Sequence, residues 1–478
     1  MGRSLEEYEN AKVKWDPRIR YKFGEDIDVV YTLRGPRQVG KTTLVKLNIR
    51  DLLKKGVPPR NVFYFDCEAT VDTPKELMKV VSSFLDLRST SKDRRCHIFI
   101  DEISQVRNWQ SAIKALHDRG DLRNCTVVLT GSHTLDVAKA TERLPGRRGQ
   151  GKDVPDKIMV PMKFAEYAET VDPELHESFT SLGLRFEDVR WRTMRALAKG
   201  KASDEVKELQ YHERSLRKLF ADYLLTGGLP KVVDDYHTKG EVSQSTYRRY
   251  VDVVRGDLSR WGKREGYVRR VLSRVLETLG SPVSWTNLGK GTDIGSHNTV
   301  EEYVDTLRDA FVLVYLYRLD TSRKGSAFEK EKKIYFGDPF FLHAMNAWVN
   351  GGDPYEESLR FLRKEENKGL LVEGVIADHM VRLAFQLSKQ KQLFDYEKVL
   401  HYWKSSAQYE VDFVLDMNGG YLPIESKYRG SISRTDRYGL ADFSKVTGTR
   451  NEIIVSRNEF SLHNDGAIVP VWLFLLLI

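Results

Sequence analysis

Residues 28–43, DVVYTLRGPRQVGKTT, decide the fold of the N-terminal third of the chain. They join an apolar, strand-like run to a glycine-rich turn, and the turn leads into KTTLVKLNIRDLLKK, whose apolar residues recur at helical spacing. The turn fits G-x-x-x-x-G-K-[ST], a pattern in which backbone N–H groups and a helix N-terminus hold phosphates. The stretch therefore predicts a phosphate-binding loop between a β-strand and an α-helix, against the alternative of a chance glycine-rich turn.

The residue types in this turn indicate how a nucleoside triphosphate with Mg²⁺ would be held. The glycines let the backbone wrap the phosphates, Lys41 reaches the β- and γ-phosphates, and the Thr42 hydroxyl is a ligand of Mg²⁺. The nucleotide-binding residues predicted by the pattern are Gly35, Pro36, Arg37, Gln38, Val39, Gly40, Lys41 and Thr42.

Apolar runs alternate with helix-like stretches from residue 26 to residue 161. The strand candidates are DVVYTLRG, NVFYFDC, CHIFIDE, TVVLTGS and KIMVPM. This alternation predicts an α/β fold in which a parallel sheet has helices on both faces.

The strand CHIFIDE ends in two carboxylates. Beside a phosphate-binding loop, Asp101 can bind the magnesium ion and Glu102 can polarise the attacking water, whereas an exposed acidic pair is the alternative. Ser132, after the next strand, is either a sensor between the γ-phosphate and water or the N-cap of a helix. Arg147 is either an arginine that reaches the γ-phosphate of a neighbouring subunit or part of a solvated basic turn.

Seven motifs of the chain resemble those of prokaryotic and archaeal AAA+-type ATPases, P-loop NTPases with a winged-helix region and a C-terminal domain related to restriction endonucleases. The resemblance covers most of the chain, and the charged stretch after Glu166 departs from it. It implies ATP hydrolysis by residues 35–43, which adds Thr43 to the nucleotide-binding set, with Asp101, Glu102, Ser132 and Arg147. The motifs are RGPRQVGKTTL, FYFDCE, IFIDEISQV, LTGSH, LPGRRG, PMKFAEY and LTGGLP.

A second group of charged residues lies in the C-terminal third: Glu373 in LLVEGVIADHM, Asp412 in YEVDFVLD, and Glu425 and Lys427 in YLPIESKY. Side chains two apart on a strand share a face, and a hairpin would bring Asp412 to Glu425. Carboxylates bind Mg²⁺ or Mn²⁺, and a neighbouring lysine can stabilise a pentacovalent phosphate. The set resembles the D…E-x-K signature of restriction-endonuclease-like domains, with Glu373 as the helix carboxylate, which implies a metal-dependent nuclease. A domain of this fold that has lost its activity is the alternative.

The stretch from residue 268 to residue 319 has the pattern of a winged helix-turn-helix: a helix, a short turn-bounded segment, a second helix and the β-like run VLVYLYRL. A polar linker is expected at residues 319–333, and a module for contacts with protein is the alternative function. The residues expected to contact bases or phosphates at the second helix are Ser296, His297, Asn298 and Thr299, and those expected to neutralise phosphates are Arg269, Arg270, Arg274 and Lys290.

The composition of the 478 residues excludes several classes of protein. With 41% hydrophobic and 30% charged residues, the chain is neither disordered nor fibrous, and its net charge of +8 favours an anionic partner. Cys67, Cys96 and Cys125 are too widely spaced for a zinc site, so we expect buried thiols in a reducing, cytoplasmic compartment. The N-terminus has no secretory pattern. The run AIVPVWLFLLLI is too short to span a bilayer, and we expect a closing buried strand there, with a peripheral membrane role as the alternative.

Together these features predict a P-loop AAA+ core over residues 1–165, a charged helical insertion over 166–219, a helical lid and winged helix over 220–325, and a restriction-endonuclease-like α/β domain over 330–478. The expected function is ATP-dependent DNA processing without membrane insertion, with ATP and Mg²⁺ as cofactors and Mn²⁺ as an alternative ion at the C-terminal site. DNA is the expected partner, and Arg147 would require a homo-oligomer. The alternatives are a nucleotide-gated scaffold or regulator with an inactive nuclease-like domain, and an NTPase that acts on RNA.

Overall fold

The computed structural model describes residues 3–68, 71–87, 95–131, 154–387, 396–417 and 419–478. The chain divides into two compact units, Met1–Val160 and Pro161–Ile478, which we call the N-terminal unit and the C-terminal unit. Among the described residues, no helix combines the length and the apolar character that crossing a membrane requires.

The N-terminal unit is built on a five-stranded parallel sheet. Its strands are β1 (Val29–Arg34), β2 (Val62–Asp66), β3 (Cys96–Asp101), β4 (Cys125–Gly131) and β5 (Asp156–Ile158), and they lie in the order β2-β3-β4-β1-β5. The helices are α1 (Arg3–Asn10), α2 (Lys41–Lys54), α3 (Pro74–Leu87) and α4 (Trp109–Asp118), with short 3-10 helices at Arg18–Lys22, Pro59–Asn61 and Ile103–Gln105.

Both faces of this sheet are covered, because successive strand residues point to opposite sides. Val30 and Ile98 belong to the core that includes residues of α3 and α4. Val29 and Tyr31 belong to the core on the other side, with residues of α2. The predicted α/β fold with helices on both faces of a parallel sheet is thus confirmed for this unit. Strand β5 ends at Ile158 and thus contains only the first two residues of the predicted run KIMVPM.

The C-terminal unit begins with helices. They are α5 (Phe164–Val171), α6 (Pro173–Ser181), α7 (Glu187–Leu197), α8 (Asp204–Tyr211), α9 (Glu213–Thr226), α10 (Pro230–Lys239), α11 (Gln244–Arg260), α12 (Glu265–Glu277), α13 (Trp285–Gly289) and α14 (His297–Asp309). Charged residues occupy the exposed faces of these helices, and Leu and Val residues at helical spacing fill the interior.

An eight-stranded mixed sheet follows. Its strands are β6 (Leu313–Asp320), β7 (Gly325–Phe336), β8 (Leu400–Lys404), β9 (Glu410–Asp416), β10 (Tyr421–Lys427), β11 (Glu452–Ser456), β12 (Ser461–His463) and β13 (Gly466–Pro470), in the order β12-β13-β11-β10-β9-β8-β6-β7. The remaining helices are α15 (Pro339–Asn350), α16 (Pro354–Arg363), α17 (Glu365–Leu387), α18 (Tyr438–Thr447) and α19 (Val471–Leu477), with a 3-10 helix at Arg434–Arg437.

Two parts of the C-terminal unit differ from the sequence prediction. The predicted linker at residues 319–333 lies in the antiparallel hairpin of β6 and β7. Its polar side chains near the hairpin tip are exposed, whereas Lys332 and Lys333 are buried. The run AIVPVWLFLLLI forms β13 and then α19 rather than one strand. Every residue of the run is buried, so the sequence has no period that would distinguish a strand from a helix.

Candidate functional site

The glycine-rich loop connects β1 to α2 through a backbone path that few side chains tolerate. Gly35, Gln38 and Gly40 have positive φ angles of 154°, 64° and 107°. A Cβ atom on Gly35 would lie 1.9 Å from the carbonyl oxygen of Met159. The two glycines of the pattern are therefore required by the backbone, and this conformation leaves loop N–H groups and the start of α2 for an anionic ligand.

Lys41, the first residue of α2, is buried beside the loop. Its Nζ atom donates to the carbonyl oxygens of Gly35 and Pro36, at 2.9 Å each. Thr42 and Thr43 follow it in the first turn of α2 and are half-buried. The ammonium group thus lies over the loop, which fits the phosphates of a nucleotide, and the Thr42 hydroxyl fits a ligand of the accompanying magnesium ion.

Asp101 and Glu102 lie at the carboxyl end of β3, on the sheet edge to which the glycine-rich loop also belongs. Asp101 is almost fully buried, and its carboxylate accepts hydrogen bonds from the hydroxyls of Thr130 and, at 3.0 Å, Tyr64. Burial, and after it the charge of Asp101, raises the pKa of Tyr64, so the phenol stays a donor. Glu102 has a φ of 50°, and its N–H donates to Thr130 Oγ1 at 3.2 Å.

Thr130 is a residue of this site that the sequence analysis missed. Its hydroxyl contacts both Asp101 and the backbone of Glu102, so one side chain fixes the two carboxylate-bearing residues. The sequence signal was its place in the run TVVLTGS, at the end of the strand next to β3. The other two predicted residues, Ser132 and Arg147, lie outside the described residues, and their roles stay predictions.

The D…E-x-K residues of the C-terminal unit lie together. Strands β9 and β10 form the expected antiparallel hairpin. The N–H of Asp412 donates to Glu425 Oε2 at 3.3 Å, and the N–H of Ser426 donates to Asp412 Oδ2 at 2.9 Å. Lys427 Nζ donates to Glu425 Oε1 and lies 3.9 Å from Asp412 Oδ2.

Lys333, on β7, lies among these carboxylates and was also missed by the sequence analysis. Its Nζ atom is 2.9 Å from Glu373 Oε1, 2.7 Å from Glu410 Oε1 and 2.8 Å from Asp412 Oδ1. Only 1% of its side chain is exposed. Its signal was the boundary in EKEKKIYF between a polar and an apolar half, where a charged residue enters the core. The carboxylate cluster comprises Lys333, Glu373, Glu410, Asp412, Glu425 and Lys427.

The charged groups of the carboxylate cluster shift one another's pKa values. Burial, and after it the charge of Asp412, raises the pKa of Glu425 to about 8. Burial opposes the ionisation of Asp412 too, but Lys333 and Lys427 outweigh it, and the pKa of Asp412 is lowered. Among the described residues, no group of three or more His, Cys, Asp or Glu is placed to hold a metal ion. The predicted metal ligands Glu373, Asp412 and Glu425 are therefore not grouped to hold a divalent cation in this arrangement. The Lys333 ammonium pairs with two of them, Glu373 and Asp412.

The region predicted to be a winged helix contains α12, α13 and α14, followed by the β6–β7 hairpin. A single antiparallel bridge, in which Val283 and Lys332 exchange two backbone hydrogen bonds of 2.9 Å, ties the turn before α13 to β7. Ser296, His297 and Asn298 are exposed at the start of α14, whereas Thr299 is half-buried.

The predicted phosphate-binding cations of this region differ in how they are held. The guanidinium groups donate within the protein: Arg269 to the carbonyl of Val349 at 2.8 Å, Arg270 to that of Thr292 at 3.0 Å, and Arg274 to Glu277. Lys290, after α13, is exposed, and so is Lys324 at the tip of the β6–β7 hairpin.

Comparison with protein families identifies the type of domain in the N-terminal part of the chain. Residues 28–168 match a family described as "AAA domain", a range that includes the glycine-rich loop, Asp101 and Glu102. The resemblance to AAA-type P-loop ATPases is thereby confirmed for this part of the chain. Residues 217–351 and 368–474 match two families described as domains of unknown function, DUF8612 and DUF4143.

Individual relatives are distant. An uncharacterized protein of Haemophilus influenzae is 23% identical over 314 residues, which are 63% of this chain and 65% of that protein. This chain thus spans slightly less than two thirds of that relative's length. An uncharacterized protein of Mycobacterium tuberculosis is 23% identical over 420 residues, covering 86% of this chain and 74% of that protein.

Two solved structures are similar in part. A Walker-type ATPase of Pyrococcus abyssi has 14% identity and a TM-score of 0.40, with 70% of this chain and 96% of that chain covered. The ORC2 protein of Aeropyrum pernix has 11% identity and a TM-score of 0.35, with 68% of this chain and 89% of that chain covered.

Proposed function

We propose that this protein hydrolyses ATP and uses the reaction to act on DNA. The observation that carries the ATPase part is the convergence of the glycine-rich loop, Lys41 and the end of β3 at one edge of a parallel sheet, within residues that match an AAA domain. A loop for phosphates, a buried cation and a carboxylate pair are the groups that phosphoryl transfer to water needs.

The residues have separate parts in the proposed reaction. Lys41 pairs with the β- and γ-phosphates, and Thr42 and Asp101 hold Mg²⁺, which when bound neutralises phosphate charge. Glu102 accepts a proton from the water whose oxygen bonds to the γ-phosphorus, and the bond from that phosphorus to the ADP oxygen breaks. Thr130 keeps Asp101 and Glu102 in place through its two hydrogen bonds.

Two substitutions test the ATPase proposal. Lys41→Ala should abolish ATP binding, because the phosphates lose their cationic partner, whereas Glu102→Gln should retain binding and lose hydrolysis, because the water loses its base. Lys54→Ala, an exposed lysine at the end of the same helix, is the matched control and should behave like the parent. Nucleotide binding by calorimetry and phosphate release measure the two steps. Parental turnover by the Glu102→Gln variant would remove Glu102 from the mechanism.

The DNA part of the proposal is supported by the element order of the α12–α14 region and its hairpin, and by a net charge of +8. The exposed start of α14 carries neutral polar side chains, while Glu302, further along the helix, pairs with Lys263. We therefore place duplex DNA at the start of α14, at Lys290 and at the hairpin tip. Arg147 as a residue acting on a neighbouring subunit, and with it a homo-oligomer, stays a prediction of the sequence.

A second candidate function is a nucleotide-gated scaffold whose C-terminal unit does not cut DNA. The nuclease predicted from Asp412, Glu425 and Lys427 requires a divalent cation on the carboxylates. The three ion pairs of Lys333 favour the scaffold over the nuclease, because its ammonium group already contacts one oxygen of Glu373 and one of Asp412.

A further inference from the structure

The carboxylate cluster is organised around Lys333. Three carboxylates, from α17, the start of β9 and the middle of β9, each place one oxygen within 2.9 Å of its Nζ atom. An ammonium group has three protons to donate, so Glu373, Glu410 and Asp412 use all of them. The burial of Lys333 is therefore fully compensated by hydrogen-bonded ion pairs, as a buried cation requires.

The backbone holds Lys333 in this position. Lys333 pairs with Leu316 of β6 in the hairpin ladder. Its neighbour Lys332 points to the opposite face of the strand, where its Nζ atom lies 4.9 Å from the ring centroid of Trp285, and Lys332 exchanges two backbone hydrogen bonds with Val283. Backbone hydrogen bonds thus hold both edges of strand β7 here, and they fix the main-chain position from which the Lys333 side chain reaches the cluster.

Other hydrogen bonds also engage the predicted metal ligands. Asp412 Oδ2 accepts from the N–H of Ser426, and Glu425 accepts from Lys427 and from the N–H of Asp412. Glu373 Oε1 accepts from the hydroxyl of Tyr335 at 2.7 Å as well as from Lys333. A divalent cation that bound Glu373 Oε1 or Asp412 Oδ1 would have to displace the Lys333 ammonium group.

We propose that Lys333 is a resident cation that occupies the position of a divalent metal in the carboxylate cluster. The carboxylate cluster then binds neither Mg²⁺ nor Mn²⁺, and its residues do not cut DNA by a metal-dependent route. The proposal also has a converse: removing the Lys333 charge while keeping the carboxylates should create a site for a divalent cation. This inference does not depend on ATP hydrolysis by the N-terminal unit.

The test uses Mn²⁺ as the probe and the full chain without nucleotide. Electron paramagnetic resonance and calorimetry count the bound ions in the parent, Asp412→Asn, Lys333→Gln and the double variant Lys333→Gln/Asp412→Asn. Lys332→Gln is the matched control, because Lys332 is the adjacent lysine on the other face of β7. We expect one additional Mn²⁺ per chain in Lys333→Gln only, with a rise in its unfolding temperature on adding Mn²⁺ that the double variant lacks.

Two results would overturn the proposal. One is Mn²⁺ binding by the parent that Asp412→Asn removes, or Mn²⁺-dependent DNA cleavage by the parent that the same substitution abolishes. The other is a folded Lys333→Gln variant that binds no additional ion. If Lys333→Gln does not fold, the comparison of the parent with Asp412→Asn decides alone: equal Mn²⁺ binding and no cleavage support the resident cation, and a difference refutes it.

Discussion

Thr130 is the residue that fixes the two carboxylates of the proposed ATPase site. Thr130→Val keeps the shape of the side chain and removes the hydroxyl that donates to Asp101 and accepts from the N–H of Glu102. A hydrogen bond to a charged group contributes about 1.5–3 kcal/mol, so we expect kcat for ATP hydrolysis to fall about 10- to 100-fold with little change in KM. Steady-state phosphate release measures both constants.

The matched control is Thr126→Val on the same strand. Thr126 is also buried, but its hydroxyl donates to the carbonyl oxygens of Glu25 and Ile27, away from both carboxylates. This variant should lose about 1 kcal/mol of stability and keep parental turnover. Equal losses of activity in the two variants would show that the effect of Thr130 is general destabilisation of β4.

His343 gives the C-terminal unit a pH-dependent stability. It is fully buried, its Nε2 contacts the carbonyl of Leu224 at 2.9 Å, and burial lowers its pKa to about 4. Because the unfolded chain binds the same proton near pH 6.5, the contribution is present above that pH and is lost as the pH falls toward 4. We expect the free energy of unfolding to fall by about 2 kcal/mol between pH 7 and pH 5 on account of this residue.

Denaturant unfolding of His343→Gln at pH 7 and pH 5 checks the sign of this effect of pH on stability. The variant should be less stable at pH 7, and its pH dependence should be flatter than that of the parent by about the same 2 kcal/mol. His176→Gln, at an exposed histidine of α6, should leave the change of the unfolding free energy with pH as it is in the parent. If the stability of His343→Gln depends on pH as strongly as that of the parent, other groups cause the loss of stability at low pH.

At the scale of elements, the sequence predicts best where one local rule determines the structure. The loop from Gly35 to Gly40 requires glycine for its backbone angles, and the strands ending in Asp101 and Gly131 are short apolar runs bounded by turns. Strand β6 was predicted, but residues 319–333 were predicted to be a linker, because the stability of this hairpin comes from pairing and from the buried half of β7, which a polar tip does not reveal. Lys333 was missed for the same reason: its partners come from α17 and β9, far away in sequence.

The α12–α14 region and its hairpin are the elements that should bind DNA. Lys290→Gln/Lys324→Gln removes two exposed charges, one after α13 and one at the hairpin tip. If both contact phosphates, the slope of log K against log salt concentration becomes less negative by about 1.8, since each contact contributes about 0.9. Fluorescence anisotropy with a labelled duplex at several salt concentrations measures the slope.

The effect of net charge on DNA binding must be separated from the effect of a local contact. Lys201→Gln/Lys445→Gln removes two exposed lysines before α8 and on α18, so both double variants have the same total charge. We expect the second pair to keep nearly the parental slope. If the two pairs make the slope less negative by equal amounts, the protein binds DNA through its overall charge and not through the α12–α14 region.

At the scale of the whole molecule, the chain contains two compact units with different chemistry. The N-terminal unit has a loop and a cation for an anionic ligand, whereas the carboxylate cluster of the C-terminal unit supplies its own cation in Lys333. A chain of two compact units need not unfold in one transition, so the effect of a ligand has to be located as well as measured.

We expect a non-hydrolysable ATP analogue with Mg²⁺ to stabilise the N-terminal unit. Binding to the native state alone adds about 2.7 kcal/mol at a ligand concentration of 100 Kd. Hydrogen exchange followed by mass spectrometry should show slower exchange in residues 35–43 and in the rest of α2, because the phosphates engage the loop N–H groups. Lys41→Ala should lose this protection and Lys54→Ala should keep it. Protection that persists in Lys41→Ala would place the nucleotide at another site and would remove the loop from the proposed function.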